Sequence, residues 1–244
     1  MEVLAVIPAR YGSSRFEAKV LAKDTGKFLV QHTYERALCA ESVEKVLIAT
    51  DSEQVLRACA SFEADCVMTS TAHQSGTDRI AEAARDIDAE IVVNLQADEP
   101  EIDPANIDYL VEVLQKSDAD MATLVALFES EQQIHDPNIV KAIVDKNGRA
   151  IYFSRSPIPY DRSAGGVGPT AGYLRHLGIY AYRKDFLLKF TTLPRGELEK
   201  CEKLEQLRAI EYGFSIMTGK VEHAWEGIDT IRQYAEFVAR FKNR

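Results

Sequence analysis

The chain has 244 residues and a formal net charge of −9, enough length to bury a core in one large domain or a domain with a small appendage. With 46% hydrophobic and 27% charged residues the composition is ordinary for a globular protein, and the acidic balance speaks against a surface for nucleic acid or anionic membrane while leaving room for a local basic pocket. Cys39, Cys59, Cys66 and Cys201 form no C-x-x-C pair, no apolar run approaches membrane-spanning length, and the first strand starts too near Met1 for a signal peptide; reduced thiols in a soluble, cytoplasmic protein are expected.

VLAVI (3–7) reads as the first strand, and VLIAT (46–50), CVMT (66–69) and IVVNL (91–95) follow. Helices are predicted between them over 26–40, 52–62 and 76–87, with Ser52 placed to cap the second and Ile80, Ala83, Ala84 and Ile87 on one face of the third. Unbroken apolar strands separated by helices indicate a parallel sheet covered on both faces. After about residue 120 the rhythm changes. MATLVALF (121–128) is a strand, and 140–155 is two strands joined at Asn147-Gly148, a pair suited to a hairpin. Residues 163–172 are a glycine-rich loop, 177–183 a strand, 198–213 a single helix ending at Gly213, and roughly 230–242 a last helix. The expected fold class is α/β: a doubly wound, mostly parallel sheet in one domain over 1–244, with a hairpin-bearing excursion over roughly 120–185.

The loop after the first strand holds Arg10, Arg15 and Lys19 beside Gly12. In sheets of this kind ligands bind beyond the carboxyl ends of the strands. Three cations with nearby backbone N–H groups suit a triphosphate, yet the pattern is neither a P-loop nor G-x-G-x-x-G. From composition alone, a solvated basic loop explains it equally well.

Seven segments narrow the choice: VIPARYGSSR (6–15), HQSGTDR (73–79), NLQADEP (94–100), YFSRSPIP (152–159), HLGIYAYR (176–183), EKLEQLRAIEYG (202–213) and GIDT (227–230). In that order, and nearly from end to end, they resemble the CMP-KDO synthetases, the 3-deoxy-manno-octulosonate cytidylyltransferases. The resemblance implies a nucleotide-diphospho-sugar-transferase-like, Rossmann-like fold and a CTP-dependent transfer that activates the sugar acid KDO and releases pyrophosphate, for lipopolysaccharide biosynthesis. It further implies Mg²⁺ as cofactor, CTP and a KDO-like acid as small-molecule partners, a homodimer, and no nucleic acid or membrane partner.

Carried over by motif, Arg10, Arg15 and Lys19 are the phosphate-binding residues, with Arg10 and Lys19 acting in catalysis. Asp98 and Asp229 are catalytic metal ligands, a hard-oxygen pair suited to Mg²⁺ when phosphate oxygens complete the shell, and Glu99 braces its loop. Gln74, Ser75, Gly76 and Arg79 are candidates for the nucleoside, whereas Thr77 and Asp78 read as helix caps. Ser154, Arg155, His176, Tyr180, Glu205 and Gln206 match the sugar-acid positions, with Arg155 the natural partner of the acid's carboxylate because of its planar fork. His32, His73, His135 and His223 lack metal-ligand spacing.

Where the family commonly reads R-L-P-G-K-P-L, this chain has Arg15-Phe16-Glu17-Ala18-Lys19-Val20-Leu21, and Ala97 stands where a glycine is usual. The losses remove easy access to positive φ, and a carboxylate about 8 Å from a phosphate costs roughly 2 kcal/mol per unit charge at an effective dielectric near 20. Weaker or differently gated CTP binding is expected. Rival readings are a cytidylyltransferase for an 8-amino KDO or a nonulosonic acid, a glycosyltransferase, which would favour a D-x-D motif absent at Asp98-Glu99-Pro100, and a non-catalytic nucleotide-binding module.

Overall fold

A computed structural model of the chain describes residues 2–12, 16–223 and 227–243. In chain order the elements are β1 (Val3–Ala9), α1 (Leu29–Ala37), β2 (Lys45–Thr50), α2 (Glu53–Ala60), β3 (Cys66–Met68), α3 (Gly76–Ala84), β4 (Ile91–Asn94) and α4 (Pro104–Gln115). There follow β5 (Met121–Leu127), α5 (Glu131–His135), β6 (Lys141–Val144), β7 (Ala150–Ser154), β8 (Leu174–Arg183) and α6 (Lys184–Phe190). The chain continues through α7 (Glu197–Glu202), α8 (Leu207–Glu211), β9 (Ile216–Val221) and α9 (Ile231–Lys242). None of the helices is long and apolar enough to cross a membrane. The chain divides into two compact units, one of residues 1–108 and 225–244 and one of residues 109–224.

In the first unit the strands run parallel in the order β3-β2-β1-β4. All seven residues of β1 are buried, as an apolar strand covered on both faces requires. Ser52 caps α2 by accepting from the Gln54 N–H, and Ser75 with Asp78 forms a capping box on α3, so capping by Asp78 matches expectation. Gly76 lets the start of α3 approach β1: a Cβ there would stand 3.3 Å from Pro8 Cγ. The C-terminal helix α9 returns to this unit, where Tyr234 and Phe237 pack with Leu29 and Ile228. That return brings residues 227–230 beside the loops after β1 and β4.

In the second unit β5 pairs antiparallel with β8 and parallel with β9, and β6 pairs antiparallel with both β7 and β8. The hairpin predicted at Asn147-Gly148 is present, with positive φ at Gly148 (+87°) and not at Asn147. The single helix predicted over 198–213 is a correction: Lys203 takes φ +54° and divides it into α7 and α8. A bidentate ion pair holds the two pieces together, both Arg208 nitrogens lying 2.7 Å from the Glu199 oxygens. Gly213, at φ +78°, ends α8 as expected.

Candidate active site

At the carboxyl edge of the first unit's sheet, three distant segments converge on one ammonium. A short 3₁₀ turn (Lys19–Leu21) lowers Lys19 into the protein, where the residue is only 8% exposed. Its Nζ donates to Asp98 Oδ2 at 2.5 Å, to the Ile228 carbonyl at 2.7 Å and to Asp229 Oδ1 at 3.4 Å. The loops carrying the carboxylates are joined by the Ile228 N–H donating to the Asp98 carbonyl at 2.8 Å. Asp98 and Asp229 keep side-chain exposures of 25% and 47%, so their oxygens face both the lysine and solvent.

Two carboxylates closing on one cation-sized point are the donor set that a hard divalent ion takes when a phosphate supplies further oxygens. Among the described residues no group of three or more His, Cys, Asp or Glu side chains could hold a metal alone. The site therefore fits a metal that arrives with a nucleotide better than one held in an all-protein cage.

The other nucleotide candidates separate by exposure. Arg10 and Gln74 are exposed, and neither makes a hydrogen bond or ion pair among the described residues. Arg15 lies outside the described residues. Ser75 and Gly76 stand at the start of α3, but the Ser75 hydroxyl accepts from the Asp78 N–H and its own N–H donates to Asp78, so its first role is as a cap. Arg79 is fully buried, pairs with Asp51 at 2.6 Å and donates to Thr69, so that it braces the β2 and β3 ends. Its Nε is buried and has no hydrogen-bond partner among the described residues.

The loop departures also resolve. Ala18, where glycine is expected, adopts φ +50° directly before Lys19; Ala97 is not among the positive-φ residues, so its methyl group costs nothing there. Glu17 is exposed.

In the second unit, the expected sugar-acid residues share one neighbourhood. Ser154 ends β7, is buried, and donates from Oγ to Glu202 Oε1 at 2.6 Å. Arg155, expected to meet the acid's carboxylate, has its fork on backbone carbonyls, with Nε 2.7 Å from the Glu202 carbonyl oxygen and the terminal nitrogens 2.9 and 3.4 Å from those of Pro137 and Lys203. These contacts brace the loop. His176 is buried on β8, with Nε2 3.0 Å from Thr123 Oγ1 and its ring edge-on to Phe153. Burial pushes its pKa down to about 3, which keeps the imidazole neutral. Thr123 lies against the carbonyls of Leu177 and Ile179 at a bulge between β5 and β8. With its one hydroxyl proton directed there, Nε2–H is the donor to Thr123. Tyr180 packs with tilted rings between His176 and Tyr182, Glu205 accepts from Arg208 at 3.4 Å, and Gln206 is buried with Nε2 lacking a hydrogen-bond partner among the described residues.

Two further residues of this neighbourhood are not among the sequence candidates, although Glu202 opens the segment EKLEQLRAIEYG. Lys141 is fully buried, its ammonium donating to the carbonyls of Asp136, Ile139 and Arg155, and burial lowers its pKa. Glu202 receives both Ser154 and Arg155. Their partners are largely main-chain groups, which no residue pattern announces.

The sequence profile of a family described as cytidylyltransferase matches residues 4–218. A 3-deoxy-manno-octulosonate cytidylyltransferase from Solibacter usitatus is 49% identical over 94% of this chain and 90% of its own length. One of the same name from Rhodopirellula baltica is 44% identical over the whole of both chains. Among solved structures, a CMP:2-keto-3-deoxy-manno-octonic acid synthetase complexed with CTP superposes with a TM-score of 0.93 at 40% identity, covering 100% of this chain and 99% of that one.

Proposed function

The chain belongs to the cytidylyltransferase family, and we propose from that premise that it catalyses CTP + KDO → CMP-KDO + pyrophosphate. The anomeric C2 hydroxyl of the sugar acid attacks the α-phosphorus of CTP, the bond to the bridging oxygen breaks in line, and the hydroxyl proton is lost to solvent. Positioning and charge neutralisation carry such a transfer.

The observation that carries the reading is the Lys19 ammonium between Asp98 and Asp229. In the working complex these carboxylates would hold Mg²⁺ together with phosphate oxygens. The metal supplies neutralisation of the phosphate charge and a lower pKa for an oxygen bound to it. Lys19 turns from the carboxylates to the α-phosphate and the departing pyrophosphate, and exposed Arg10 neutralises the outer phosphates. Gln74 and the start of α3 are assigned to the nucleoside. Ser154, His176, Tyr180, Glu205 and Gln206 are assigned to the sugar acid, with neutral His176 serving as an uncharged hydrogen-bonding wall and Gln206 Nε2 as a donor. We place the enzyme in the cytoplasm as a homodimer feeding lipopolysaccharide synthesis.

Pyrophosphate release from CTP, with and without KDO, tests the proposal. Release only in the presence of KDO and Mg²⁺ is expected. Release with an 8-amino KDO or a nonulosonic acid but not KDO would reassign the substrate, and CTP binding without turnover would leave a nucleotide-binding module.

A further inference from the structure

Between α7 and α8 the backbone turns through Lys203 at φ +54°, a conformation disfavoured for a residue with a Cβ. The turn exposes two carbonyls at the end of α7, those of Glu202 and Lys203, and both accept from the Arg155 guanidinium. The Glu202 carboxylate points the same way: Oε1 accepts from the Ser154 hydroxyl at 2.6 Å and Oε2 from the Arg155 N–H at 3.0 Å. One residue thus fixes the main chain, the guanidinium and the neighbouring hydroxyl of the Ser154-Arg155 pair. Lys141 completes the hold by donating to the Arg155 carbonyl.

This arrangement sets the polarity of Ser154. A serine hydroxyl has one proton and two lone pairs. The proton goes to Glu202, and one lone pair accepts from the Ser156 N–H at 3.0 Å. What remains is a single lone pair. We propose that Glu202 is a positioning residue for the sugar-acid site, orienting Ser154 so that it meets the substrate only as an acceptor, and so selecting a sugar hydroxyl that donates. The inference rests on the reading that Ser154 touches the sugar acid.

Glu202→Gln is nearly isosteric and tests this directly. Its amide oxygen can still accept from the Arg155 N–H, but its NH₂ then faces Ser154 as a donor, which reverses the serine's role. Losing one oriented hydrogen bond corresponds to a rise of about tenfold in KM for KDO. The KM rise is expected to exceed the fall in kcat, with KM for CTP unmoved. Because Glu202 acts through Ser154, the pair E202Q/S154A is expected to be no worse than S154A alone, within about twofold. Glu202→Asp, which keeps two acceptors, is expected to bind KDO better than E202Q, and it carries the test if E202Q does not fold.

Additive losses in the double variant, an equal rise in KM for CTP, or an Asp variant worse than Gln would each overturn the positioning role. If S154A itself leaves KM for KDO unchanged, the sugar-site reading fails and the inference falls with it. If S154A raises that KM while E202Q does not, only the inference fails.

Discussion

Lys19 in the first unit and the pair Arg155 and Lys141 in the second are held in opposite ways. In the first, Lys19 is held chiefly by two side-chain carboxylates that remain partly solvated. In the second, Arg155 and Lys141 are held by main-chain carbonyls, three apiece. A carboxylate can exchange one cation for another, since water or a metal satisfies it equally well. The carbonyls around the Lys141 ammonium are only partly open to water, so a lost donor there leaves a poorly solvated acceptor, whereas water can replace Arg155 at the exposed Pro137 and Lys203 carbonyls. The contacts of Lys19 can therefore be exchanged for others, whereas those of Lys141 and Arg155 hold loop backbone in place.

The sharpest way to break this contrast is to neutralise the exchangeable site. Asp98→Asn and Asp229→Asn are each expected to lower turnover by about 10²-fold or more, an effect of the size seen when a stabilising charge is lost from a transition state. Since Asp229 is half-exposed and 3.4 Å from its lysine, its variant should change unfolding free energy by no more than about 1 kcal/mol. Near-normal pyrophosphate release at limiting Mg²⁺ in either variant would remove that residue from the metal site.

Arg155→Lys probes the other side. It keeps the charge but not the planar fork, so at least one carbonyl exchanges its donor for water and a loss of about 1 kcal/mol in denaturant unfolding is expected. Unchanged stability with a large rise in KM for KDO would instead restore Arg155 as the direct partner of the sugar's carboxylate.

A third test uses acidity. His176 is neutral in the fold because burial lowers its pKa to about 3 from 6.5. Between those values the unfolded chain takes up a proton that the folded chain refuses. Stability is then complete above pH 6.5 and falls as the pH drops toward 3, with a limiting slope of about 1.4 kcal/mol per pH unit. His176→Asn should show a shallower acid slope between pH 6 and 4. Equal slopes would mean that the histidine is protonated in the fold.

The same contrast explains what the sequence made legible. The parallel strands were plain because each is an unbroken apolar run, and Lys19, Asp98 and Asp229 were readable because charged residues beside a strand end or in a short motif stand out. β9 was hidden by Gly219, which interrupts its apolar run where a Cβ would collide with Tyr109, Val113 and Leu124. α4 carries a short local signal, Asp103 followed by Pro104, a cap and a first-turn proline, with Asp103 Oδ1 accepting from the Ala105 N–H at 3.1 Å. The division of 198–213 had none. Helical periodicity runs straight through Lys203, and the break is held by tertiary contacts, the Arg155 guanidinium on the Glu202 and Lys203 carbonyls and the Arg208–Glu199 pair.

The smallest expected effect concerns the loop that aims Lys19. Ala18 holds φ +50°, where an L-residue with a Cβ pays about 1–2 kcal/mol. Its carbonyl accepts from the Leu21 N–H at 2.8 Å, and the Phe16 carbonyl accepts from the Lys19 N–H at 3.3 Å, so the turn cannot relax without moving the lysine. Ala18→Gly removes the steric cost but adds freedom to the unfolded chain, and the net gain should be about 1 kcal/mol. Adding Glu17→Pro removes the exposed carboxylate from the loop proposed to hold the phosphates and narrows the unfolded ensemble, since a fixed φ lowers its entropy. KM for CTP should then fall, because a turn already at rest loses less on closing around the nucleotide. If the double variant is more stable but binds CTP no better, the strain at Ala18 belongs to folding alone, and the first unit's loop is as fixed in its shape as the second's.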